Sequence, residues 1–244
     1  MKITFDKMKV TNVLFLSVLL FACNSKNNNE FTVEGTIKNP SGTTLYLEEA
    51  SITNAQPLVV DSAILDKDGK FKLTTLSKEE SFYILRFNNN PNPVASLIND
   101  DNHITVTADL KSPEFYTVKG SDASQSLKDF LVTTNQHLNS IYGLTMKMDS
   151  LQKSNASDSV LFQLHNERIA EGTTIKNYAV NLINNSKSAP LVIFALGSYQ
   201  SYASDPVLGL EPFSQPQMLD LIKNASNKFP KHQGLADVAK SLQT

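Results

Sequence analysis

One cysteine, Cys23, serves the whole chain of 244 residues. A lone thiol excludes an internal disulfide, a CxxC redox pair and a cysteine-built metal cluster. Tryptophan is absent, and the only arginines are Arg86 and Arg168. Nucleic-acid binding needs clustered cations against phosphates, so no such partner is expected. A phosphate-gripping site is disfavoured for want of guanidinium forks. No apolar run reaches the roughly 20 residues that cross a hydrocarbon core. The histidines His103, His137, His165 and His232 fall at no helical i, i+4 spacing, so there is no HExxH zinc face, and no GxSxG elbow exists. No catalytic, cofactor-binding or metal-ligating residue is expected, and the chain reads as a non-enzyme.

What is there begins at the N-terminus. Lys2, Lys7 and Lys9 precede the apolar run Val13 to Cys23, V-L-F-L-S-V-L-L-F-A-C, with small Ala22 directly before the cysteine. A basic start, a short apolar middle and a small residue at the cut are the layout of an export signal. Leu20-Phe21-Ala22-Cys23 resembles a bacterial lipoprotein box, with Phe21 bulkier than its usual occupant. The resemblance implies that residues 1–22 are removed and that Cys23 is acylated. One acyl chain holds a protein marginally, two or more hold it stably. The partner so implied is a membrane, and the location is the cell envelope: the periplasmic side of an outer membrane, or the cell surface. Removing Lys2, Lys7, Lys9 and Asp6 takes the net charge from −2 to −4. Residues 23–30, polar and without apolar side chains after the cysteine, read as a flexible tether.

From Phe31 the hydrophobic period is two. Phe31, Val33, Gly35 and Ile37 alternate with polar residues. Strands are expected at Leu45–Leu47, Leu58–Leu65, Lys70–Thr75, Ser81–Phe87, Val94–Ile98, His103–Ala108 and Phe115–Val118. Asp66-Lys67-Asp68-Gly69 gives a hairpin signal, because its turn residues tolerate positive φ. It resembles part of a calcium loop, but Ile64 stands where the first ligand would be. At Gly120-Ser121 the period changes to three and four. Ser121 is the expected N-cap of a helix reaching Lys153, followed by helices from Ser157 or Asp158 to about Ile183, from Leu191 to Tyr199, from Gln217 to Lys228 and from Leu235 to Leu242. Gly172 is expected to bend the second. The fold class is α+β: an N-terminal antiparallel β-sandwich or open barrel, residues 31–119, then a helical domain, residues 120–244.

The adjacent acids Glu48-Glu49, Glu79-Glu80 and Asp100-Asp101 are read as surface charge, since neighbouring side chains on a strand face opposite ways. Tyr199 and Tyr202 are read as packing. Asn88-Asn89-Asn90 with Pro91 and Pro93 is a loop that could touch an envelope protein partner.

The order of parts carries a resemblance. A lipobox is followed by Phe31-x-Val33-x-Gly35-x-Ile37, by Leu45-Tyr46-Leu47, and by Asp61-Ser62-Ala63 leading to Gly69-x-Phe71. Val118-x-Gly120-Ser121 and Ser188-x-Pro190-Leu191 come next. Residues 13–244 resemble the N-terminal region of TlpA-like thiol–disulfide oxidoreductase lipoproteins of Bacteroidetes. The resemblance implies a β module of unknown function, then helices, then a thioredoxin-like domain bearing CxxC. No second cysteine is present, so no redox residue carries over, and Asn99 to Asn102 departs from the acid-x-Gly usual between the late strands. Two functions are therefore expected. One is a lipid-anchored module that binds a protein or ligand. The alternative is the non-catalytic part of a truncated or split thiol–disulfide oxidoreductase.

Overall fold

The computed structural model describes residues 29–50, 56–88, 90–112 and 116–242. Cys23, the leader and most of the expected tether lie outside the described residues, as does Phe115. The chain is α+β. The strands are β1 (Glu30–Lys38), β2 (Thr44–Ala50), β3 (Leu58–Ile64), β4 (Lys70–Leu76), β5 (Phe82–Phe87), β6 (Ala95–Ile98), β7 (His103–Asp109) and β8 (Thr117–Lys119). The helices are α1 (Asp122–Lys153), α2 (Asp158–Asn185), α3 (Ala189–Ala203), α4 (Gln215–Lys228) and α5 (Gln233–Ser241). Glu30, placed in the tether by composition, instead pairs with Leu76.

The strands make two four-stranded sheets, ordered β4-β1-β7-β8 and β3-β2-β5-β6. Their inner faces close on one core, where Phe31, Val33, Leu47, Leu73, Leu85 and Val106 are almost wholly shielded from solvent. The antiparallel expectation fails at one pair: β1 and β7 run parallel, with Gly35 opposite Val106. Tight turns dictate direction only between strands adjacent in sequence, and β1 lies between β4 and β7, neither of which follows it. A Cβ at Gly35 would run into the Val106 carbonyl, so the close approach of these strands demands glycine. The Asp66–Gly69 turn forms, with Asp66 Oδ1 accepting from Asp68 N and Lys70 N, both at 2.8 Å. It is a corner between sheets, because β3 pairs with β2 and β4 with β1. Asp61 Oδ2 bridges that corner by accepting from Thr74 N at 2.7 Å.

Helix α1 starts where its sequence says. Ser121 caps it, accepting from Ser124 N at 2.8 Å. Helix α2 runs unbroken through Gly172, whose missing Cβ leaves room for the Leu210 side chain. Helix α4 begins before Gln217, at Gln215, with Pro216 in its first turn and a Ser214/Gln217 capping box. The helices bury a second core around Phe130, Ile175, Val192, Ala195 and Tyr199. A third cluster, Ile98 with Ala123, Leu127 and Leu191, joins the outer face of the β6 side of its sheet to α1 and α3. Among the described residues, no helix is long and apolar enough to cross a membrane.

Candidate functional site

The tetrapeptide Asn99-Asp100-Asp101-Asn102 organises the junction between sheet and helices. Asp100 accepts from the Ser121 hydroxyl and from Ala123 N (2.9 Å), placing a carboxylate at the positive end of α1. Ser124 Oγ accepts from Ile98 N at 2.8 Å and lies 3.0 Å from Ile98 O. The first turn of α1 thereby satisfies the open edge of β6. Asp101 turns away and accepts from His103 N at 3.0 Å. Asn99 reaches the loop between β4 and β5, accepting from Ser81 N (2.5 Å) and donating to Ser77 Oγ (2.8 Å).

That loop carries Glu79 and Glu80 into a cleft of about 500 Å³ between the β5 end of its sheet and helices α3 and α5. Glu49 and Ala50 line it from β2, Phe82 from β5, and Pro190, Ile193 and Phe194 from α3. His232, Gln233, Gly234 and Asp237 close it from the start of α5. The rings of Phe82 and Phe194 stack with centroids 5.1 Å apart and 12° between planes. His232 caps α5: its Nδ1 accepts from Leu235 N at 3.2 Å, and its Nε2 bonds Glu80 O at 2.9 Å. This pairing requires the neutral ring with its proton on Nε2. Gln233 N donates to Glu79 Oε2 at 2.9 Å. The C-terminal helix is thus pinned to the β4–β5 loop by two hydrogen bonds. Burial pushes the Glu80 carboxyl above its ordinary range, while the Ser188 hydroxyl at the start of α3 pulls it back. Glu80 Oε1 is closed off from solvent and accepts no hydrogen bond.

The surface-charge reading therefore fails for Glu79-Glu80, which lie in a loop, where strand alternation does not separate them. The opposite-faces argument holds for Glu48 and Glu49, but the surface-charge reading does not: Glu48, its side chain 12% exposed, pairs with Arg86 across β2 and β5, while Glu49 faces the cleft. His103 sits 3.2 Å from Glu34 on the neighbouring strand. His137 bonds Glu171, whose other oxygen accepts from Ser140 at 2.9 Å, tying α1 to α2. His165 is exposed on α2. Tyr199 is fully buried against Phe213 and donates to Glu211 O at 2.6 Å, a packing role. Asn88 and Asn90 border two further depressions beside Tyr46, of about 380 and 450 Å³. Ser150 and Lys153 form an SxxK string, and both are exposed at the end of α1. Among the described residues, no three His, Cys, Asp or Glu side chains are grouped to hold a metal ion.

Sequence reasoning missed His232 and the Glu79-Glu80 loop. The available signal was modest: a histidine three residues before Leu235, just past Phe229-Pro230, is placed to cap a helix.

Residues 31–127 match the model of a domain of unknown function (DUF4369). The match runs past the last strand into α1 as far as Leu127, so it takes in the turn whose Ser121 and Ser124 hold Ile98. No curated protein matches the chain.

Proposed function

We propose that this protein is a non-enzymatic, lipid-anchored module of the cell envelope that holds a ligand in the cleft between its sheet and its helices. Anchorage rests on Cys23 and the signal layout before it. Binding rests on one observation, the cleft itself: it is walled by both halves of the fold, floored by apolar side chains and of a volume usual for small-molecule sites. Mass spectrometry tests the anchor. The expected N-terminal peptide begins at an acylated Cys23; a peptide retaining Met1 through Ala22 with a free thiol overturns it. Native mass spectrometry of the protein from its own envelope tests the cleft. A bound small molecule is expected, and Ala50→Trp, which fills the cleft, removes it; retention of that mass by the variant overturns the reading.

A second reading, the non-catalytic part of a thiol–disulfide oxidoreductase, rests on the resemblance of residues 13–244 to the N-terminal region of TlpA-like lipoproteins. A reading frame for a CxxC-bearing thioredoxin domain directly after the codon for Thr244 supports it. In either case the chain itself is expected to show no insulin reduction, and measurable turnover overturns the non-enzyme reading.

A further inference from the structure

We propose that the junction cleft takes the acyl chain of a membrane lipid that carries no net negative charge. The proposal rests on the anchorage at Cys23 and on the reading of the cleft as a ligand site, and it names what fills that site. The chain enters the fold beside the cleft. Asn29 O accepts from Ser77 N at 2.8 Å, and Ser77 stands two residues before Glu79, which lines the cleft. Cys23 precedes Asn29 by six residues. Fully extended, that length spans at most about 20 Å. An acylated Cys23 therefore keeps the cleft within reach of the bilayer surface, the nearest store of apolar chains.

The interior suits a chain. Its floor is Ala50, the stacked rings of Phe82 and Phe194, Pro190 and Ile193. The polar groups around that floor largely serve one another. Glu79 Oε2 accepts from Gln233 N, and Asp237 Oδ1 accepts from Gln233 Nε2, each at 2.9 Å. His232 spends both ring nitrogens on Glu80 O and Leu235 N. Glu80 Oε1 has no accessible surface, so it meets no ligand. What the floor offers is apolar carbon, and each CH₂ buried against it raises affinity about fourfold. No lysine or arginine lines the cleft, and Glu49 adds to the negative charge of its walls. A fatty-acid anion or an anionic lipid is therefore disfavoured against an uncharged one.

The probe is a monoacylglycerol whose decanoyl tail ends in a diazirine, carried in phosphatidylcholine vesicles that hold the full chain. After irradiation, mass spectrometry should find label on Phe82 and on residues 190–194. Ala50→Trp, which fills the cleft, and Ile193→Asp, which puts a charge on its floor, should each lower that label about tenfold. Circular dichroism confirms that both variants fold. Exposed Asp149→Asn, far along α1, should leave the label unchanged. A Gly/Ser insert of about 20 residues after Asn28 should lower it several-fold, because the cleft then meets the bilayer less often. Label confined to residues outside the cleft, or indifferent to both cleft variants, overturns the acyl chain. The cleft then stands as a ligand site only if native mass spectrometry still finds a mass that Ala50→Trp removes; absence of that mass as well overturns both readings. Label that ignores the insert overturns the bilayer as the source.

Discussion

Glu80 and Glu171 are both carboxylates between packed elements, and their surroundings act on them in opposite directions. Burial raises Glu80 above the usual 4.5; the His137 imidazole, with help from Ser140, lowers Glu171 below it. The folded state holds a proton on Glu80 more tightly than the unfolded chain does. Its contribution to stability is therefore greatest below 4.5 and is lost as pH rises through the raised value. Glu171 has the reverse sign: its contribution is present above 4.5 and is lost as pH falls through the lowered value. Urea unfolding followed from pH 4 to 8 should show Glu80→Gln gaining stability relative to the parent as pH rises, and Glu171→Gln losing most at neutral pH. A Glu80→Gln difference that is flat across this range contradicts the buried carboxyl. Neither residue could be singled out from sequence. Glu80 sits in an ordinary acidic loop, and Glu171 lies in the middle of a helix with its partner 34 positions away.

At the scale of elements, the β6–α1 joint is held by a cluster of side-chain hydrogen bonds. Ser121 caps α1 and binds Asp100, and Ser124 closes the β6 edge. Ser121→Ala should cost about 1–2 kcal/mol, the upper end for a lost cap, because the Asp100 bond goes with it. The denaturant midpoint measures it, and a loss below about 0.5 kcal/mol would show the cap to be replaceable. The pairing of β1 with β7 offers a second test. Gly35→Ala should destabilise by roughly 3 kcal/mol or more, since the new methyl meets a backbone carbonyl that cannot rotate away. The Ser121 cap was legible in the sequence, because a cap is a local hydrogen bond within three residues. The parallel pairing was not. Alternating hydrophobicity assigns a strand its faces, but it carries no information about the direction of a neighbour brought in from 70 residues away.

For the whole molecule, the question is what couples sheet to helices. The third apolar cluster and the Phe82–Phe194 stack do so by burial, and His232 and Gln233 do so by hydrogen bonds to the β4–β5 loop. Phe194→Ala should loosen both. Its side chain is half-buried, so a loss of about 2–3 kcal/mol is expected rather than the full value for a core phenylalanine. Amide exchange should quicken at the start of α1 and through α5 before it does in the inner strands; uniform acceleration would mean that the halves are not separately coupled. The amino-acid sequence by itself determined the class of fold, the change from strands to helices at Gly120-Ser121, the Ser121 cap of α1 and the layout that makes Cys23 a candidate anchor. These depend on spacing and on neighbours a few residues apart. Only the tertiary structure decided the parallel pair, the corner at Asp66–Gly69, and the cleft where Glu80, Phe194 and His232 meet. Those three residues come from separate parts of the chain, and their chemistry exists only once burial has removed water from between them.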